Sequence, residues 1–238
     1  MRTIFLLILY MIFVILLIPV VFICFLFRTA QPLYVLGGGA IRLGQWILGI
    51  RLRIRGLEGL DKEKTYIFMP NHLSFLDGPM MFTIIPRAVR IIVKKEVLRI
   101  PIIGWAMKVA EFIPVDRKGF RGGKKSVDRA VSMIREKGYD FLIFPEGTRS
   151  LDGKLKSLKR GGFFLAVNSQ TDIVPVSIQG TFELMPKRQF FVKRGKIKVV
   201  FHPSISIQDY TMANLPVLLE KVRMAIASGL DEEIENPV

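Results

Sequence analysis

From Ile4 to Phe27 the chain runs 24 residues without a charge, rich in Ile, Leu, Phe and Val. Wound as a helix at about 1.5 Å per residue, this stretch covers roughly 36 Å, more than the roughly 30 Å hydrocarbon core of a bilayer. It is too long for a signal-peptide core, and no small-x-small cleavage site follows it. The expectation is an uncleaved membrane anchor with Pro19 as a point of kinking. Such a helix either spans the bilayer or forms half of a hairpin in one leaflet. In Leu33–Ile54, which comes next, Gly37-Gly38-Gly39, Trp46 and several aliphatics are punctuated by Arg42, Arg51 and Arg53. That pattern suggests an interfacial helix. Only Arg2 precedes the anchor, whereas Arg28 and the arginine cluster that ends at Arg55 follow it. The positive-inside rule then expects the protein at the cell membrane with its globular part on the cytoplasmic face.

Residues 1–54 are thus expected as anchor plus interfacial helix, and residues 55–238 as one domain large enough for a real core. Past Arg55 short β-branched runs alternate with helical stretches. The expected strands are Tyr66–Met69, Val89–Val93, Phe112–Val115, Phe141–Phe144, Ile173–Ile178 and Lys196–Phe201. The expected helices are Phe75–Ile84, Ser126–Lys137, Arg160–Asn168 and Leu215–Ala227, followed by a frayed acidic tail, Asp231–Glu235. This alternation predicts an α/β fold built on one mixed, mostly parallel sheet flanked by helices. Lys and Arg outnumber Asp and Glu 35 to 20, a net charge of +15 that calls for anionic partners. One cysteine, Cys24, and two separated histidines argue against a disulfide framework and against a Cys/His metal site.

One of those histidines sits in Asn71-His72-Leu73-Ser74-Phe75-Leu76-Asp77. Residues five apart on a helix differ by about 140° and share no face. His72 can therefore touch Asp77 only from a turn that precedes a helix, with Asp77 in its first turn. The strand ending at Pro70 and the N-cap candidate Ser74 allow that arrangement. A carboxylate on one ring nitrogen would fix the imidazole tautomer and leave the other nitrogen to act as a base. The plain alternative is that Ser74 and Asp77 form a capping pair and His72 is an ordinary turn residue.

Phe144-Pro145-Glu146-Gly147-Thr148-Arg149-Ser150 follows an apolar run and is expected at the C-terminal edge of a strand, where open α/β sheets place ligands. Gly147 would let backbone approach a ligand, and Arg149 offers a fork suited to phosphate. Read alone, the stretch is equally a solvated turn. Lys154, Lys156, Lys159 and Arg160 continue the positive charge, expected chiefly to meet lipid headgroups, with Lys159 and Arg160 the candidates for a closer role. Phe112-Ile113-Pro114-Val115-Asp116-Arg117 sets another arginine at a strand's edge. Gly119 to Lys125 lacks the Walker A spacing and is expected as a basic loop before a helix capped by Ser126. No Gly-x-Ser-x-Gly occurs, Gly37–Gly39 does not complete a dinucleotide fingerprint, and His202 is expected to be structural.

Taken together, four stretches resemble the motifs of the glycerolipid acyltransferases, in family order across roughly residues 55–205. They are Asn71-His72 with Asp77, Phe112 to Arg117, Phe144 to Arg149, and Val174-Pro175-Val176-Ser177-Ile178 with Gly180. The resemblance implies acyl transfer from a thioester of coenzyme A or acyl carrier protein to the sn-2 hydroxyl of lysophosphatidate, yielding phosphatidate. It implies His72 as general base and Asp77 as its orienting partner, with no acyl-enzyme, metal or cofactor. Glu146, Gly147, Thr148 and Arg149, with Lys159, would surround the acceptor, and Arg117 would hold its phosphate. Glycerol 3-phosphate or another lysolipid is the alternative acceptor. A hydrolase using the same pair on water, and a non-catalytic basic protein on an anionic membrane surface, are the alternatives by class. No nucleic-acid-binding motif is present, so nucleic acid is not an expected partner.

Overall fold

The computed structural model describes residues 2–115 and 120–230, with the side chains of residues 2, 3, 120 and 121 left aside. Two helices open the chain, α1 (Arg2–Leu26) and α2 (Gln31–Leu48), the second entered through Pro32 in its first turn, where a missing N–H costs nothing. Within α1, Ile4–Leu26 is long and apolar enough to cross a membrane, and little of it is buried.

The expected interfacial helix does not reach Ile54. Gly49, with φ +70°, ends α2, and the chain enters strand β1 (Ile50–Arg55). Ile50, Leu52 and Ile54 alternate with Arg51, Arg53 and Arg55, which is the period of a strand and not of a helix. The other strands are β2 (Ile67–Pro70), β3 (Arg90–Lys94), β4 (Ile113–Val115), β5 (Phe141–Leu142), β6 (Ile173–Gln179) and β7 (Gly195–Phe201). These six correspond to the expected strands, with ends shifted by a residue or two. They join β1 in a seven-stranded sheet of order β1-β7-β6-β2-β5-β3-β4. All pairings are parallel except β6 with β7. The chain leaves β1 at Gly56 (φ +81°), where an added Cβ would stand 2.0 Å from the Phe201 carbonyl oxygen, so only glycine fits.

Successive strand residues feed two cores, as period two requires. Ile67, Met69, Phe141 and Ile173 point toward α5 (Phe120–Lys137), α6 (Arg160–Ser169) and α8 (Leu215–Leu230). Phe68, Leu142, Val174, Val176 and Ile178 point toward α2 and α3 (Asp77–Ile84). A short helix α4 (Ile103–Val109), not anticipated from the sequence, packs with Ile102 against Leu17, Val21 and Cys24 of α1.

Helix α5 also differs from expectation. It is already helical at Phe120, so Phe120–Lys125 is no loop and Ser126 caps nothing; its Oγ donates to the Pro114 (2.7 Å) and Gly122 (3.1 Å) carbonyls from mid-helix. His202 serves structure: its Nε2 lies 2.7 Å from the buried Ser177 Oγ, which also donates to the Ile226 carbonyl at 2.6 Å and ties α8 to β6. The acidic tail Asp231–Glu235 lies outside the described residues.

Candidate active site

Three adjacent parallel strands, β5, β2 and β6, end at one edge of the sheet. Asn71 closes the end of β2: its Nδ2 donates to the Ile178 carbonyl (2.9 Å) and its Oδ1 accepts from Ile178 N–H (2.7 Å). With Asn71 clamped, the next residue is thrown over the edge. The His72 N–H donates to Glu146 Oε1 at 2.6 Å, its carbonyl accepts from Ser150 N–H at 2.8 Å, and its ring stacks on Phe144 with centroids 4.0 Å apart. Its Nδ1 lies 2.8 Å from Asp77 Oδ2.

The helix here begins at Asp77 and not at Phe75, and Ser74 is not its N-cap. Ser74 Oγ instead accepts from Leu76 N–H (3.2 Å) and donates to the Met185 carbonyl (2.7 Å). Asp77 makes both contacts that the sequence left as alternatives, to His72 and to Ser74. Its Oδ2 accepts from Leu73 N–H and Ser74 N–H, each at 2.7 Å, closing the turn, and takes the imidazole as a third partner. An oxygen already receiving two N–H bonds acts as an acceptor, so Nδ1 carries the ring proton and Nε2 presents its lone pair. Nε2 has no partner among the described residues, and the His72 side chain is 20% exposed while Asp77 is fully buried.

The second loop of the site follows β5. Glu146, expected beside the acceptor, is 1% exposed, and both its oxygens are taken by backbone: Oε1 by His72 N–H and Oε2 by Lys156 N–H at 3.0 Å. Burial pushes its carboxyl above the usual carboxylate range, opposed by those two N–H bonds and by the Lys156 charge. The carboxylate therefore holds the two loops together and does not reach into the open. Gly147 turns with φ +71°, and an added Cβ would meet Lys159 Cδ at 2.9 Å, so the lysine stem lies across the glycine. Lys159 N–H donates to the Pro145 carbonyl (2.8 Å) just before α6, which brings this residue to the same loop. Thr148 Oγ1 lies 3.5 Å from Lys187 Nζ, and the Arg149 guanidinium sits 5.9 Å from the centre of the exposed Phe75 ring. Arg117 lies outside the described residues.

Sequence reasoning gave no role to Asn71, Phe144, Met185 or Lys187. Asn71 carried a signal as a buried amide next to the histidine; the contribution of Met185 is a backbone carbonyl, which no side-chain pattern reports.

The fold is thus an α/β sheet whose strand ends bring together a buried Asp and a partly exposed His, with Arg149, Lys159 and Lys187 on the loops beside them. Residues 51–179 match the family model described as acyltransferase, and the chain belongs to that family. It is 35% identical over 179 residues to the 1-acyl-sn-glycerol-3-phosphate acyltransferase of Limnanthes douglasii, covering 75% of this chain and 62% of that protein. To the enzyme of the same name from Saccharomyces cerevisiae it is 30% identical over 208 residues, covering 82% and 68%. The match spans only 49% of the chloroplastic Arabidopsis thaliana relative, so the chain covers about half to three-fifths of the length of these plant proteins. The crystal structure of the 1-acyl-sn-glycerophosphate (LPA) acyltransferase PlsC from Thermotoga maritima superposes with a TM-score of 0.80 over 96% of this chain and 92% of that one. At 24% identity that likeness speaks for the fold.

Proposed function

We propose that the protein transfers a fatty acyl group from an acyl thioester, of coenzyme A or acyl carrier protein, to the sn-2 hydroxyl of 1-acylglycerol 3-phosphate, giving phosphatidate. The observation that carries this is the His72 imidazole, held at Nδ1 by a buried carboxylate and open at Nε2, in a chain whose relatives bear that activity in their names. Nε2 takes the proton from the acceptor hydroxyl as its oxygen attacks the thioester carbonyl. The C–S bond then breaks and the imidazolium returns the proton to the leaving thiolate. Asp77 offsets the charge on the imidazolium while it lasts. Base assistance of this kind is worth roughly 10²–10⁴-fold.

Arg149, next to the Ser150 whose N–H donates to the His72 carbonyl, and Lys159, laid across Gly147, are with Arg117 assigned to the acceptor phosphate, for which a guanidinium fork is well shaped. Gly147 and Thr148 line the approach, and Glu146 is a positioning residue. We assign α1 to a membrane, with the domain on the cytoplasmic side that the arginine distribution favours. The acceptor and product, both bilayer lipids, then enter and leave without full desorption.

The test is acyl transfer by the purified full chain from a long-chain acyl thioester, with lysophosphatidate and glycerol 3-phosphate offered side by side. Phosphatidate from lysophosphatidate alone, lost in His72→Ala with folding retained, is the expected result. Thioester cleavage that ignores the acceptor would move the protein to the hydrolases, and wild-type turnover in His72→Ala would remove the proposed base.

A further inference from the structure

Between the last turn before Met185 and the start of β7 lies a loop, residues 185–194, that the proposed chemistry does not use. Its tip carries Phe190 and Phe191, 83% and 64% exposed, and around them stand Lys187, Arg188, Lys193 and Arg194. Two adjacent phenylalanines in water are costly, at about 1.5–3 kcal/mol forgone per ring left unburied. No acid among the described residues forms an ion pair with any of the four cations. The loop is nevertheless ordered at its base, where Lys193 N–H donates to the Leu184 carbonyl at 2.9 Å and Gln189 N–H to the Pro186 carbonyl at 3.1 Å.

Its place in the fold says what should cover it. Met185 and Val192 pack on the same hydrophobic layer as Leu6 of α1 and Ile41 and Leu48 of α2. The residue after the loop, Gly195, pairs with Ile50, two residues past the end of α2, whose last turn carries Trp46 at 79% exposure. The apolar hairpin and the aromatic loop therefore sit on one side of the sheet and meet at one edge. The loop also touches both loops of the candidate site, the turn after β2 through Ser74 Oγ to the Met185 carbonyl and the loop after β5 through Lys187 Nζ to Thr148 Oγ1.

We infer that residues 185–194 form a second membrane contact, selective for anionic bilayers. Phe190 and Phe191 enter the headgroup–acyl boundary, and the four cations bind anionic lipid headgroups beside the mouth of the site. Aromatics in the interface and juxtamembrane cations on anionic lipid are the physical basis. The inference rests on the membrane attachment proposed above for α1 and not on the reaction. An acidic protein could satisfy the cations equally well, but it would not account for the adjoining apolar hairpin.

The test uses the full chain with Cys24→Ala and a nitrobenzoxadiazole label at Phe190→Cys, in phosphatidylcholine vesicles with and without phosphatidylglycerol. Flotation with the vesicles reports attachment by α1 separately. In anionic vesicles the label should be quenched by lipids brominated near the headgroup, while a label at Lys221→Cys on α8 should not be. The loop variant Arg188→Gln/Lys193→Gln/Arg194→Gln, carrying the same label, should lower the inserted-to-free ratio by about fivefold per cation removed, toward its value in phosphatidylcholine alone. Protein that floats with an unquenched label at position 190 overturns the inference. So does quenching that is equal in neutral and anionic vesicles, or a label that only an acidic carrier protein shields. Protein that does not float at all removes the attachment on which the inference rests.

Discussion

Asp77→Asn removes one charge and leaves the shape of the site intact. With the amide oxygen in the place of Oδ2, the three bonds from Leu73 N–H, Ser74 N–H and His72 Nδ1–H survive as neutral ones. The amide nitrogen then stands where Oδ1 is buried, a position with no hydrogen-bond partner among the described residues. Charge-assisted bonds contribute about 1.5–3 kcal/mol against about 0.5–1.5 for neutral ones, and a buried unpaired amide costs about 1–3. Removal of a buried charge offsets part of this, leaving a net loss on the order of 2 kcal/mol. For a chain of this size that is roughly 4–8 °C in Tm. With the amide flipped, its nitrogen would donate to Nδ1, move the ring proton to Nε2 and abolish the base.

Either orientation deprives the imidazolium of its counter-charge. Acyl transfer should fall by about 10²–10⁴-fold in kcat, or roughly 2.7–5.4 kcal/mol of barrier, with the KM of both substrates little changed. The assay is phosphatidate formation per folded molecule, paired with a thermal melt of the same preparation. If Asp77 merely closed the turn, Tm would drop and kcat would hold. Turnover within tenfold of wild type would therefore refute the general-base assignment, whatever happened to stability.

Arg149→Ala should raise the KM for lysophosphatidate far more than that for the acyl donor; equal effects in steady-state kinetics would remove the guanidinium from the phosphate. Glu146→Gln must set an amide N–H against one of two backbone donors, His72 N–H or Lys156 N–H, and should lower both Tm and kcat with the acceptor KM unchanged. A rise in acceptor KM alone, with Tm unmoved, would put Glu146 on the acceptor instead. Gly147→Ala combines a left-handed backbone with a methyl 2.9 Å from Lys159 Cδ, and should cost on the order of 1–2 kcal/mol in a melt unless the lysine moves off the site. Asp140 sets the sign of a pH effect: burial raises its carboxyl above the usual range despite the Tyr66 N–H and Arg87. Its contribution to stability is then complete below the ordinary carboxylate pKa and is lost as pH rises through the raised value. Asp140→Asn should gain on wild type as pH climbs through that window in paired melts, and a constant difference would refute the shift.

How much of this the sequence disclosed depended on whether a feature was written in side chains at short range. The inner strands were legible because each is a short apolar run, as in Ile67-Phe68-Met69, fed to two cores. The contact between His72 and Asp77 was legible because a five-residue spacing admits one geometry, a turn entering a helix. Strand β1 was misread because Arg51, Arg53 and Arg55 beside an apolar hairpin look interfacial; the alternation was present, but the neighbouring hydrophobicity outweighed it. Helix α4 is seven residues long and owes its stability to α1, a tertiary partner invisible to local pattern. The part played by Glu146 could not be read at all. Its partners are two backbone N–H groups, 74 and 10 residues away, and a buried carboxylate binding backbone has the same letter as one binding substrate.

The antiparallel pairing of β6 with β7 bears on how this site would meet the membrane proposed for α1. β5, β2 and β6 run parallel and deliver Glu146–Arg149, His72 and the residues after Gln179 to one edge. β7 runs against β6, with Gln179 opposite Lys198, so it begins at the edge where β6 ends. β1 is parallel to β7 and starts beside it, Ile50 opposite Gly195. The exit from the α1–α2 hairpin and the aromatic loop are therefore both delivered to the edge that carries His72. Were β7 and β1 parallel to the other five, the same hairpin would enter at the opposite edge, with the length of the strands between it and the histidine. At about 3.3 Å per residue, the seven residues of β6 would set that gap at roughly 23 Å. The reversal of β7 and β1 thus sets the exit from the α1–α2 hairpin and His72 at the same edge of the sheet.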